Sequence, residues 1–181
     1  MNKKIRWITE TAIMLALLVT LQALTKPMGQ LVTGSCVNTV LAVAALVGGL
    51  ASGLTVAIVS PVLAFLLGIA PQILTVPAIM VGNSVFVILL SLLSDVTGKN
   101  KLKQILAWLV AAVAKFAALY IVVVKIICGV MADQLLASGA LKQPMLKALP
   151  ATFSWPQLIT ALIGGAVALL IVPVLRKALH K

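Results

Sequence analysis

Apolar residues fill run after run of this chain, and the runs have the length needed to cross a bilayer. A hydrocarbon layer of about 30 Å is spanned by about 20 helical residues. Six spans fit the 181 residues, at about 7–25, 34–50, 54–69, 77–93, 104–130 and 155–175. Inside lipid every backbone amide and carbonyl must find its partner within the protein, which leaves helices or closed barrels. The expected fold class is therefore all-α: a polytopic six-transmembrane-helix bundle, with residues 1–181 forming a single integral membrane domain. With 62% of residues hydrophobic and 9% charged, no stretch remains for a separate soluble domain.

Charge sets the expected orientation. The formal net charge is +11, from 14 Lys and Arg against Glu10, Asp95 and Asp133. In a soluble protein that excess would suggest nucleic acid, but here most cations stand at helix ends. Lys3, Lys4, Arg6, Lys99, Lys101, Lys103, Arg176, Lys177 and Lys181 fall on one face, and Lys26, Lys142 and Lys147 on the other. Cytoplasmic loops carry the excess of Lys and Arg. Both termini are thus expected to be cytoplasmic, in a multi-pass protein of the bacterial plasma membrane. The basic start MNKKIR reads as the flank of a retained first helix and not as a signal peptide.

Glycine and proline add detail. Gly48, Gly49 and Gly53 bracket a tight turn at 51–53 and let spans two and three approach closely. Pro61 has no amide hydrogen and clashes with the carbonyl one turn earlier, so span three is expected to kink, with Ser60 satisfying part of the freed backbone. The connections KPMGQLVT, APQILTV, SDVTGKNKLK and ADQLLASGALKQPMLKALPATFS read as loops. The first, residues 26–33 with Gly29, is a candidate gate.

Two lysines interrupt the fifth span, AWLVAAVAKFAALYIVVVKIICGV. A central Lys costs about 2.5–3.5 kcal/mol on insertion scales, while each Leu, Ile, Val or Phe contributes about −0.3 to −0.6. The span inserts regardless, so position must decide what the lysines do. Ten residues place Lys125 about 15 Å along the axis from Lys115 and about 80° around it. Lys125 can snorkel to the outer interface, or join a site. Lys115 is too deep for that and is expected to face the bundle interior, toward polar partners, a solute or helix carbonyls. Gln22 and Thr25 on span one, Ser35 and Asn38 on span two, and Asn83 and Ser84 on span four lie at comparable depth. Buried amides and hydroxyls need partners, and each could serve only as helix–helix glue. Together they outline a polar pocket opening outward, with Gln22, Ser35, Asn38, Asn83, Lys115 and Lys125 as candidate substrate-binding residues.

No catalytic, cofactor or metal pattern is found. Asp95 and Glu10 lie at the cytoplasmic ends, too far from the pocket to act there as paired acids. HExxH and Ser/His/Asp sets are missing, and GKN at 98–100 lacks the glycine and Ser/Thr of a P-loop. Cys36 and Cys128 read as packing residues or as a disulfide, and the lone His180 sits in the basic tail. Proton-coupled carriers usually keep a carboxylate or histidine within the membrane, and inverted-repeat carriers show matched broken helices; neither feature is evident. A protein of this kind that moves a solute draws its energy from elsewhere.

On these residues the chain resembles the S component, the substrate-binding subunit, of energy-coupling-factor vitamin transporters. Ala12-Ile-Met-Leu-Ala16 fits the family's Ala-x-x-x-Ala pattern on the first helix, and VTGSCVNTVLAVAALVGGLASGLTVAIVSPVLAFLLGIAP followed by VPAIMVGN is similar to its second to fourth spans. The resemblance implies high-affinity binding of a water-soluble vitamin or precursor, with a lean toward the pantothenate-type branch. It also implies partners: a transmembrane coupling subunit, contacted through Ala12 and Ala16, and two ATP-binding subunits that energise import. A carboxylate-bearing ligand would suit Lys115 or Lys125, with Asn38 and Asn83 reading its hydroxyl or amide groups. A self-sufficient secondary carrier or channel, and a scaffold that uses its small-residue faces only for packing, remain the alternatives.

Overall fold

The computed structural model describes residues 3–69, 72–95 and 100–179. Lys99, Gly98, His180, Lys181 and the Ala70-Pro71 part of the third connection lie outside these residues. Among those described, every regular element is helical. α1 spans Lys3–Thr25 and α2 spans Gln30–Val43, continued by a π-helical turn over Ala44–Gly48. α3 (Leu50–Leu66) and α4 (Val76–Leu93) follow. α5 (Lys101–Leu119) continues as a π-helix over Tyr120–Val130. Two short helices, α6 (Ala132–Ala137) and α7 (Gln143–Thr152), precede α8 (Trp155–Ala178).

Against the expected six spans, five helices among the described residues are long and apolar enough to cross a membrane, and α3 is a shorter apolar helix of 17 residues. The six pack as a closed ring in the order α1, α2, α8, α5, α4, α3 and back to α1, with α2 also leaning on α3 and α4. Large side chains such as Ile13, Leu66, Leu106, Val113, Ile163 and Leu170 are exposed on the outside of this ring. Such an apolar outer surface is suited to lipid.

Several local expectations change. The turn between α2 and α3 falls at Gly49, not 51–53, and α3 begins already at Leu50. Gly49 has φ +85° and ψ 176°, a region essentially restricted to glycine. Gly49→Ala is expected to destabilise the protein by about 1–3 kcal/mol, read as a lowered melting temperature in detergent. The first connection is also shorter than expected: a single 3₁₀ turn, Lys26–Met28, and Gly29 separate α1 from α2. α3 continues through Pro61 to Leu66. Both cysteines are free.

The largest departure is the polar connection 132–154, which folds into α6 and α7. Leu141, Leu149 and Phe153 are buried there, against Ala78 of α4 and Leu119, Val123 and Ile127 of the fifth span. Desolvating these large side chains stabilises the segment as a cap on one end of the bundle. A second, larger apolar cluster occupies the other end, built from Leu41, Val56, Phe86, Leu90, Ala111 and Ala168 among others. The functional interest lies in the thin layer between the two.

Candidate functional site

Along α4 the layer between the clusters contains Asn83, along α5 Lys115, along α2 Asn38 and along α8 Thr160, all of them buried. Their hydrogen bonds form one directed chain. Lys115 Nζ donates to Asn38 Oδ1 at 2.6 Å and to Asn83 Oδ1 at 2.7 Å. Asn38 Nδ2 donates to the Gly34 carbonyl at 2.9 Å and to Thr160 Oγ1 at 3.2 Å. Thr160 Oγ1 donates to the Gln157 carbonyl at 3.1 Å. A hydrogen bond involving a charged group contributes about 1.5–3 kcal/mol, so two of them offset the cost of inserting a central Lys. The Phe86 ring adds a face 5.6 Å from the Lys115 nitrogen.

The chain of donors leaves a definite remainder. A Lys donor requires the carbonyl end of each amide, which turns Asn83 Nδ2 away from it. That nitrogen is buried and has no partner, and Gln22 Oε1 is in the same position. Both residues line a cavity of about 200 Å³. Its floor is Asn38, Asn83 and Lys115. Lys26 lines it from an exposed position, and Thr33, Phe153 and Gln157 complete the wall. Among the described residues two lysines and no acid line the cavity. The site offers hydrogen-bond donors and positive charge, together with the amide oxygen of Gln22 as a buried acceptor without a partner.

Thus Gln22, Asn38, Asn83 and Lys115 gather around one space, whereas Ser35 and Lys125 are not among its lining residues. Ser35 Oγ turns back onto its own helix and donates to the Leu31 carbonyl at 2.7 Å. Lys125 is exposed, with its nitrogen 5.8 Å from the Tyr120 ring. The separation of about 80° expected for the two lysines rested on α-helical turns throughout. From Tyr120 the helix is π-helical, and i→i+5 bonding changes the angle per residue.

The cavity also uses residues that the sequence did not single out as ligand contacts: Lys26, Thr33, Thr75, Thr152, Phe153 and Gln157. Two tethers draw the connections together over it. Lys26 Nζ donates to the Gly68 carbonyl at 2.7 Å, and the Gln72 side-chain amide reaches Met145 Sδ of α7. Thr33 Oγ1 donates to the Thr25 carbonyl at 2.8 Å and closes the first connection on itself. Among the described residues no three of His, Cys, Asp and Glu come together as a metal would require.

A family model described as "ECF transporter, substrate-specific component" matches residues 6–176, nearly the whole chain. The chain belongs to this family. No curated protein and no solved structure matches it. As an S component the chain is a membrane-embedded, substrate-binding transporter subunit and not an enzyme. In that setting an apolar ring with a polar cavity near one end is the arrangement a solute-binding subunit requires. Ala12 and Ala16 stand exposed on α1, one turn apart.

Proposed function

We propose that this S component binds a small anionic vitamin or vitamin precursor from outside the cell, with pantothenate the leading candidate. The observation that carries the reading is the Lys115 nitrogen held between Asn38 and Asn83 at the floor of a cavity without acidic residues. A ligand carboxylate would take a charge-assisted hydrogen bond from Lys115. Asn83 Nδ2 would donate to a hydroxyl or carbonyl oxygen of the solute, and Gln22 Oε1 would accept from a hydroxyl or amide. Asn38, whose amide hydrogens are already committed to Gly34 and Thr160, would hold Lys115 in place. Drug-sized ligands usually occupy about 300–1,000 Å³, so a cavity of about 200 Å³ suits a compact solute.

In this reading both termini are cytoplasmic and the cavity opens outward. The termini of α1 and α8 and the start of α5 carry Lys4, Arg6, Lys101, Lys103, Arg176 and Lys177 at the end remote from the cavity, in keeping with the positive-inside bias. Import would be energised by a transmembrane coupling subunit and two ATP-binding subunits. Pantothenate added to the purified protein is expected to raise its melting temperature and to appear as a bound mass in native mass spectrometry. A screen of water-soluble vitamins that finds binding only to cationic or neutral compounds would overturn the anionic assignment.

Ala12 and Ala16 would contact the coupling subunit, since small residues one turn apart permit close helix approach. Ala12→Trp is expected to abolish co-purification with that subunit while leaving vitamin affinity within about twofold, because its side chain points away from the cavity. Loss of both properties together would argue for a folding defect instead.

A further inference from the structure

At the other end of the bundle lies a second cavity, of about 330 Å³, walled by Leu46, Leu50, Leu92, Ser91, Ser94 and Arg176. It is about 20 Å from the first along α2, taking about 1.5 Å per helical residue. We propose that it seats a phosphate ester, held by the Arg176 guanidinium and the hydroxyls of Ser91 and Ser94.

Arg176 is fixed in place and has capacity to spare. Its Nη2 donates to the Leu46 carbonyl at 2.7 Å, which anchors the planar group at the cavity wall. The guanidinium has five N–H donors in all. Among the described residues no carboxylate forms an ion pair with it. The hydroxyls supply the independent observation. Ser91 Oγ and Ser94 Oγ are buried without a partner, and Ser94 is 5% exposed. Helical hydroxyls elsewhere in this chain settle on the carbonyl one turn back, as Thr11, Thr25, Ser35, Thr39 and Thr55 do. Leaving a buried hydroxyl unpaired costs about 1–3 kcal/mol. Both serines line the same cavity as the positioned guanidinium, and each has a hydroxyl hydrogen to donate.

A phosphate supplies the acceptors. Its oxygens match the guanidinium fork geometrically and take hydroxyl donors on the remaining edges. Leu50 and Leu92 are exposed at this cavity, so its surroundings are apolar while its centre is basic. That combination fits a lipid headgroup whose chains continue along the outer face. A soluble phosphate ester presents the same chemistry, and the two sources can be separated.

The test is native mass spectrometry of the purified full-length protein, titrated in one arm with phosphatidylglycerol and in the other with inorganic phosphate. The wild-type protein is expected to retain one bound phosphate species. Arg176→Gln should reduce retention at least tenfold, and Lys177→Gln, an exposed neighbouring charge, should leave it unchanged. Arg176→Gln also removes the Leu46 bond, so Ser91→Ala/Ser94→Ala, which keeps that bond, is the second variant, with at least a fivefold reduction expected. Retention of the lipid alone assigns the site to a headgroup, and retention of phosphate assigns it to a soluble ester. Equal retention by all four proteins in both arms overturns the proposal.

Discussion

Lys115→Met is expected to weaken binding of the anionic solute by about 10- to 150-fold and to leave the helical bundle folded. The estimate follows from losing one charge-assisted hydrogen bond, about 1.5–3 kcal/mol, at tenfold per 1.4 kcal/mol. Met keeps most of the stem and therefore its contacts with the surrounding helices. The change also leaves Asn38 Oδ1 and Asn83 Oδ1 without the donor they share. Both residues line the cavity, so water can hydrate them, and the stability loss should stay at about 1–2 kcal/mol. Calorimetric titration with pantothenate, beside a thermal melt of the same sample, separates the two effects. Unchanged affinity would remove Lys115 from the site. Asn83→Leu should act in the same direction, since it removes the free Nδ2 donor and one of the two amide oxygens that hold Lys115.

The second large effect is expected at Gly164. A Cβ added there would lie 2.6 Å from the Ser35 carbonyl oxygen, 2.6 Å from Asn38 Cβ and 2.8 Å from the Thr39 nitrogen. Two of these are backbone atoms and cannot rotate away, so α8 and α2 would have to separate. Overpacking of this kind costs about 1–3 kcal/mol. Gly164→Ala should therefore lower the melting temperature. It should also weaken solute binding, because the Asn38–Thr160 hydrogen bond crosses the same seam. An unaltered melt would mean that the seam between the two helices accepts a methyl group without separating.

How much of this could be read beforehand depended on the kind of signal. The helical class and the approximate helices followed from apolar length alone, because lipid allows the backbone so few solutions. Lys115, Asn38 and Asn83 stood out because a cation or amide at that depth must face something polar. Thr160 and Gln157, three residues apart, share a helix face, but which face meets α2 depends on the packing order of the ring. Lys26 was counted only as a topology charge. Ser35 lies outside the cavity lining, since a serine can satisfy itself on its own helix, as it does here on Leu31. The polar composition of the connection 132–154 suggests a loop. Yet Leu141, Met145, Leu149 and Phe153 recur every four residues, a helical period that the intervening polar residues obscured. The π-helical continuation of α5 had no sequence signature of its own.

The near-contact of α2 and α8 has a mechanical consequence. At Gly34 a Cβ would meet the Thr160 side chain at 2.8 Å, and at Gly164 it would meet backbone, so this wall is closely packed and has little room to move inward. α1, the other neighbour of α2, has much of its surface exposed, and the cover rests on long side-chain tethers such as Lys26 to Gly68. Compliance is thus distributed unevenly around the cup. A solute too large for the resting volume would be accommodated by the tethered cover and the α1 flank, while the α2–α8 side served as a fixed template against which size and shape are measured.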